Sequence, residues 1–400
     1  MRLFTFLIFC TQLLQAQSWL QISDFPAAER DDGVAVTVGN TAYFGTGSMA
    51  TGGISIDFYA LNAANSWTPI AAMPQYTQRQ YAGAFAGPNS FFIFSGDGFS
   101  GPLSDLYKYD IASNSWSAKT SRPGPGVYGA ACLEFGDKII IIGGKSPAGS
   151  GQQASSLVWE YTISSDSWQQ KADFPGGGRF RASAAVINGK GYLMFGVDEN
   201  ERMRKDMYRY DPGSDTWTRV LDFPQGIGRS YAAMRQVNNK LVMFGGYDSL
   251  NVYHKDVWFF DPAAEHWTLQ NDLPSFGRKG GMSAVLGNNF YYSCGIDVNN
   301  TRLKETWVLD VPVGIRENEL QSRFAVYPNP ARELIHVEGN EQNRITQLLL
   351  TDVCGKEIKQ SAAASTQSAS LLLNDLDSGI YLLKIVTNDA LIVSKKIVVK

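Results

Sequence analysis

Five arginines stand at nearly the same distance behind a proline: Arg30 after Pro26, Arg79 after Pro74, Arg179 after Pro175, Arg229 after Pro224 and Arg278 after Pro274. Arg181 follows Arg179 at a spacing of two, and one equivalent segment breaks the pattern with Val127-Tyr128. A guanidinium stays charged and offers a planar fork of donors, so a ring of them at one opening would focus anions and grip a carboxylate through two hydrogen bonds. The same spacing fits a second reading, in which each arginine belongs to the repeat and pairs with an acid at the edge of its own unit.

Acids recur close by. Asp31 and Asp32 flank Arg30, and Asp97, Asp198, Glu199, Asp248 and Asp297 follow short glycine-containing segments. Several carboxylates together can bind Ca²⁺ or divide the duties of acid and base. Acids behind glycines also make the local hydrogen bonds of turns. Histidine is more discriminating because the chain has only three, His254, His266 and His336. They fall in three different kinds of segment, so no two of them serve one metal, and no serine or cysteine has a histidine and an orienting group beside it. Neither a metal, another cofactor nor a nucleophilic triad is expected.

The element that must position these groups is one phrase repeated six times, a tryptophan followed seven residues later by a proline. The pairs are Trp19/Pro26, Trp67/Pro74, Trp116/Pro123, Trp168/Pro175, Trp217/Pro224 and Trp267/Pro274, and successive tryptophans lie 48, 49, 52, 49 and 50 residues apart. A period near fifty built from short strands marks one supersecondary unit stacked on itself. Each unit reads as four strands. The first is small and apolar, as in Ala182-Ser183-Ala184-Ala185-Val186; the second ends near glycine, as in Phe244-Gly245-Gly246; the third carries aromatics, as in Asp206-Met207-Tyr208-Arg209-Tyr210-Asp211; the fourth carries the tryptophan. The proline ends that strand because it has no amide hydrogen to donate. The stretch from Trp19 to Pro26 is the end of a unit without a beginning, and Gly280 to Asp310 is a beginning without an end. The sixth unit is therefore completed by the N-terminal strand, which removes an open sheet edge.

These residues resemble the kelch repeat, and residues 17–312 look like a six-bladed kelch β-propeller in an all-β chain. Full double glycine occurs only at Gly143-Gly144 and Gly245-Gly246, the other blades reading Gly45-Thr46, Ser95-Gly96, Gly196-Val197 and Cys294-Gly295. The resemblance implies that the loops joining strand four to the next strand one, and strand two to strand three, open on one face. That face would be a ligand-binding mouth formed by Arg30, Arg79, Tyr81, Tyr128, Arg181, Arg229, Tyr231 and Arg278. Copper oxidases of the galactose-oxidase kind share kelch blades, but the two histidines and cross-linked cysteine of their site have no counterpart here.

Residues 313–323 read as a polar linker, and 324–400 as a small Ig-like β-sandwich of short alternating strands. The order Tyr327-Pro328-Asn329-Pro330, Gly355-Lys356, Gly379-Ile380-Tyr381 and a final strand holding Lys395-Lys396 resembles the C-terminal sorting domain of the type IX secretion system. That resemblance implies a Bacteroidota-type protein, export through the periplasm and release or attachment at the outer-membrane surface, with 324–400 engaging the type IX machinery. Residues 1–16, with Arg2, an apolar run from Leu3 to Phe9 and Ala16, have the layout of a cleaved signal peptide. It is too short to span a bilayer, so no transmembrane segment is expected in the mature chain. Cys132, Cys294 and Cys354 remain after cleavage and are expected to be buried thiols rather than a bridge. A net charge of −3 argues against nucleic acid as a partner.

Two functions follow as expectations. One is a non-catalytic, secreted or surface-held module that binds a glycan or protein at its mouth. The alternative is an epimerase or mutarotase of an acidic sugar, similar to the bacterial kelch sialic acid epimerases, with Glu199 moving the proton.

Overall fold

The computed structural model describes residues 19–148, 151–311, 324–339, 344–352, 356–388 and 392–400. The expected leader over 1–16, the expected linker over 313–323 and Cys354 lie outside these residues. Every regular element among the described residues is a strand. The chain divides into two compact units, Met1–Pro312 and Val313–Lys400.

The first unit consists of six four-stranded antiparallel blades together with short two-stranded ribbons. Their innermost strands are Val34–Val38, Gly83–Gly87, Ala131–Phe135, Ser183–Ile187, Ala233–Val237 and Met282–Leu286. Each packs against the next, and the last against the first, so the ring is closed. In blade one the order is Val34–Val38, Thr41–Gly45, Phe58–Asn62 and Trp67–Ile70. Blade six takes its outermost strand from the other end of the chain: Trp19–Ile22 pairs antiparallel with Thr306–Asp310, Trp19 opposite Leu309 and Ile22 opposite Thr306. The N-terminal strand thus covers the amide and carbonyl row that blade six would otherwise expose.

The phrase residues join neighbouring blades. The Trp67 ring lies edge-on to Phe25 and Phe44, with centroids 5.4 and 5.1 Å away. Its indole N–H donates to Ser23 O at 3.2 Å, as Trp116 donates to Ala71 O at 2.8 Å and Trp168 to Thr120 O at 2.7 Å. A tryptophan in one blade therefore bonds to the phrase of the blade before it. Burying such a ring contributes on the order of 2–3 kcal/mol, and the hydrogen bond fixes its direction.

The end of strand two differs from the sequence expectation by one residue in two blades. Two consecutive residues have positive φ in every blade: Thr46-Gly47, Ser95-Gly96, Gly143-Gly144, Phe195-Gly196, Gly245-Gly246 and Cys294-Gly295. The pairs are therefore Thr46-Gly47 and Phe195-Gly196, not Gly45-Thr46 and Gly196-Val197. Only the second position is always glycine. A Cβ there would meet a carbonyl oxygen of the same blade, at 2.5 Å from Asp31 O for Gly47 and 2.9 Å from Gln80 O for Gly96. The first position accepts Thr, Ser, Phe or Cys in four blades, while in blade three a Cβ on Gly143 would fall 2.2 Å from Arg179 O.

The second unit is a two-sheet sandwich. Ala325–Tyr327, Leu334–Glu338 and Ser368–Leu372 form one sheet, and Glu357–Thr366, Ile345–Thr351, Gly379–Thr387 and Ile392–Val399 form the other, in that order. Ile335, Val337, Leu348, Leu350, Leu383 and Ile385 fill the space between them. Alternate residues of each strand supply this core, as the two-residue period of a strand requires.

Deleting residues 17–22 reopens the edge of Thr306–Asp310. The expected result is a lower denaturant midpoint for the first unit and concentration-dependent association in light scattering. An unchanged midpoint with a monomeric chain would show that closure does not depend on this strand.

Candidate functional site

The recurrent arginines are clamps inside the blades. Arg30, Arg79, Arg179, Arg229 and Arg278 are all at most 3% exposed. Each pairs with an acid on the strand-three side of its own blade: Asp57, Asp256 and Glu305 just before that strand, Asp206 at its first residue and Asp105 within it. Arg79 forks onto both oxygens of Asp105 at 2.6 and 2.8 Å, and Arg229 onto both oxygens of Asp256 at 2.7 Å. Their remaining donors reach the residue before the invariant glycine, Ser95 O for Arg79 and Gly245 O for Arg229. Phe25, Phe174 and Phe223 lie under the guanidiniums of Arg30, Arg179 and Arg229. Blade three lacks the clamp on both sides, with Val127 and Leu157 in the two places. Burial works against ionisation of Asp256, but bonds from Arg229 and Trp258 outweigh it and hold the carboxyl below its usual range. The expectation that Arg30, Arg79, Arg229 and Arg278 line the mouth is thereby corrected: their guanidiniums are buried and paired within the blade.

The residues that do line the mouth stand two positions further on. They are Asp32, Tyr81, Gly129, Arg181, Tyr231 and Gly280, one per blade, and all six have left-handed φ between 54° and 67°. A ring of backbone hydrogen bonds holds them there. Asp32 N donates to Gly280 O at 2.6 Å, Tyr81 N to Asp32 O at 2.9 Å, Gly129 N to Tyr81 O at 2.8 Å, Arg181 N to Gly129 O at 2.7 Å and Tyr231 N to Arg181 O at 3.4 Å. Side chains other than glycine seldom adopt this conformation, and here the ring imposes it.

With six blades, residues three blades apart face each other across the opening, so Asp32 is opposite Arg181, Tyr81 opposite Tyr231 and Gly129 opposite Gly280. The Arg181 guanidinium lies over both tyrosines, 4.2 Å from the Tyr81 centroid and 3.9 Å from that of Tyr231. Those two rings are 6.2 Å apart, so the cation sits between them. The glycines make room for the charged pair. A Cβ on Gly129 would fall 3.1 Å from Arg181 Cγ, and one on Gly280 would fall 2.7 Å from Asp32 Oδ1. Among the described residues Arg181 makes no ion pair, and its buried Nε has no hydrogen-bond partner.

Around this ring the wall is aromatic. Tyr128 packs on Tyr81 and Phe180 and donates to Gln152 at 2.6 Å. Tyr231, Tyr247 and Tyr253 form a row beneath the Lys279 ammonium, which is 4.1 Å from the Tyr247 centroid. Below the ring runs an axial channel of about 570 Å³ lined by the innermost strands. Two of these strands depart from the expected small apolar residues. Arg235 donates to Ser283 O at 3.1 Å and Ala35 O at 3.5 Å, and Glu134 accepts from Ala86 N at 3.1 Å. These groups satisfy the strand edges that face the channel. Desolvation raises the Glu134 carboxyl and lowers the Arg235 guanidinium.

Three of the remaining acids serve turns. Asp198, Asp248 and Asp297 each accept, through Oδ1, from the amides two and four residues later. His254 bonds Asp248 at 3.0 Å. Glu199 accepts from Gly178 N at 2.7 Å on an exposed loop and is not part of the channel wall.

Comparison with known proteins agrees with this architecture. Residues 32–226 match the KLHDC2/KLHL20/DRC7 Kelch-repeats domain, residues 228–274 the Kelch motif, and residues 325–400 the Secretion system C-terminal sorting domain. Human Kelch-like protein 34 is 31% identical over 165 residues, 40% of this chain and 24% of that protein. N-acetylneuraminate epimerase of Haemophilus influenzae is 37% identical over 71 residues, 16% of this chain and 19% of that protein. The Brucella suis protein of the same name is 33% identical over 132 residues, covering 30% and 32%. The first three curated relatives are thus matched over 19% to 34% of their own length. The solved structure of YjhT superimposes with a TM-score of 0.61 at 18% identity, over 72% of this chain and 96% of that one, a likeness of fold.

Arg229→Ala leaves Asp256 without its partner in a largely buried place. Stability is expected to fall by about 3–5 kcal/mol, read from urea unfolding of the full chain. Lys at 229 restores the charge but not the fork, so it should recover only part of the loss. A change within experimental error for Arg229→Ala would rule out the clamp.

Proposed function

From a chain that carries kelch repeats and a secretion system C-terminal sorting domain, we propose that the propeller is a non-catalytic module whose mouth binds a carboxylate-bearing glycan outside the cell. The sorting domain belongs to proteins that are exported and then secreted or kept at the cell surface. In this reading a signal peptide in residues 1–16 takes the chain to the periplasm, and residues 324–400 engage the type IX machinery.

The observation that carries the glycan reading is the Arg181 guanidinium, stacked between Tyr81 and Tyr231 with no acid spent on it. A stacked guanidinium keeps its edge donors for a carboxylate, and the tyrosine faces suit the C–H faces of a sugar ring. The clamp arginines are neutralised within their blades, so the cations that face the mouth are Arg181 and, over Tyr231 and Tyr247, Lys279. Tyr128 and Tyr231 widen the aromatic wall around it.

A second reading draws on the matches to N-acetylneuraminate epimerases and on the carboxyl opposite Arg181. There the module would interconvert anomers of an acidic sugar, with Asp32 as the acid, since Glu199 is bound to a backbone amide elsewhere.

Calorimetric titration of the full chain with N-acetylneuraminate, glucuronate and glucose tests the first reading. The two acids should bind and glucose should not, and Arg181→Ala should weaken acid binding roughly 10- to 100-fold. Equal binding of glucose, or unweakened binding by the variant, would sink it. Acceleration of anomer exchange in NMR spectra of N-acetylneuraminate, lost in Asp32→Asn, would favour the second reading.

A further inference from the structure

Asp32 is the one member of the mouth ring that is both acidic and enclosed. It is 7% exposed, held at φ 58°, and its Oδ1 lies against Gly280 on the next blade. We propose that Asp32 enters the mouth as a neutral carboxylic acid and donates a hydrogen bond to the ligand, so that the site selects acids whose carboxylate meets Arg181 while a hydroxyl, carbonyl or ring oxygen accepts from Asp32. The inference rests on the reading of the mouth as a carboxylate site and adds a second, oppositely placed determinant to it.

The geometry assigns the neighbouring acids different roles. Asp31 has a cation of its own, Arg302, whose Nε reaches Asp31 Oδ1 at 2.6 Å and whose Nη2 reaches Ser48 Oγ at 3.1 Å. Asp32, next in the chain, has no basic group within ion-pair distance among the described residues. The groups facing it are Asp31 on its own strand, Tyr81 from blade two, Arg181 from blade four and Tyr292 from blade six. Burial is the main cause that raises its carboxyl well above the usual range, and the charge of Asp31 adds to this, while Arg181 opposes it without prevailing. Burial and Asp32 likewise raise the Tyr81 phenol, so that it too stays protonated. With Asp32 protonated, the inner mouth presents donors to a ligand: the guanidinium edge and the acid proton. A cation or the ammonium of a zwitterion finds no free carboxylate there. An ionised Asp32 would reverse this by setting a second negative charge against the ligand's own.

Two measurements on the full chain test the inference. In calorimetric titrations with N-acetylneuraminate and glucuronate across neutral and alkaline pH, wild-type affinity should hold while Asp32 is protonated. It should then fall about tenfold per pH unit above that range. Asp32→Asn, which keeps a neutral donor of the same shape, should bind with a flat profile over the same pH range. Stability without ligand gives an independent readout. A raised folded-state carboxyl contributes stability that is complete below the unfolded value and is lost as pH rises through the folded value, so the wild type should lose stability over this window and Asp32→Asn should not. Acid binding that is equally flat in both proteins would overturn the role of Asp32 and leave the mouth reading standing. Failure of both acids to bind at any pH would overturn the mouth reading, and this inference with it.

Discussion

The structure turns on one buried arginine in each of five blades. Its guanidinium ties the end of strand two to the start of strand three through an acid, and its main-chain carbonyl accepts the amide of the invariant glycine in the preceding blade. That second bond occurs at all six junctions, from Gly47 N to Arg79 O, Gly96 N to Val127 O, Gly144 N to Arg179 O, Gly196 N to Arg229 O, Gly246 N to Arg278 O and Gly295 N to Arg30 O. Blade three keeps the backbone bond while lacking the arginine, which separates the two contributions: the amide ring closes the propeller, and the ion pair stiffens each blade. Such a pair offsets its own desolvation only when its hydrogen bonds are complete, and for Arg79 and Arg229 the fork and the carbonyl of Ser95 or Gly245 supply them. Two residues beyond the clamp the chain enters the inner ring, so the element that holds the blade also places the mouth.

The regular spacing of tryptophan and proline made the six blades and the borrowed strand Trp19–Ile22 legible, because both follow from periodicity and from the need to cover a sheet edge. The same regularity misled the choice of site residues. A residue type that recurs in every blade serves what every blade needs, and Arg30, Arg79, Arg229 and Arg278 serve cohesion. Recognition sits where the repeat varies, at the position two residues later, which reads Asp, Tyr, Gly, Arg, Tyr, Gly around the ring. Tyr81, Arg181 and Tyr231 were visible as candidates, but nothing in their types announces a left-handed backbone, which the ring of amide bonds imposes. Asp32 looked like one acid among seven; Asp198, Asp248 and Asp297 are just as enclosed, but their oxygens are occupied by turn amides, whereas Asp32 stands in the inner ring. Glu134 and Arg235 broke the pattern of small residues in strand one, a signal that was available and lacked only the channel to explain it.

Placing cohesion and recognition at adjacent but different positions has a physical consequence. The clamp is internally neutral, so it contributes little to the field at the mouth. The inner ring is held by main-chain bonds that do not depend on side-chain identity, so its six side chains are released from structural duty. They fall into facing pairs, one charged, one aromatic and one of glycines. The glycines are needed because Arg181 and Asp32 do not point straight inward but lean across the neighbouring blade. A mouth built with six equal residues would have no preferred direction for a ligand. The Asp32 to Arg181 axis supplies one, and the Tyr81 to Tyr231 pair across it sets the width of the slot. In the proposed reading an acid that enters turns its charge toward blade four and an acceptor oxygen toward blade one, so its orientation follows from which two blades carry the ionisable pair.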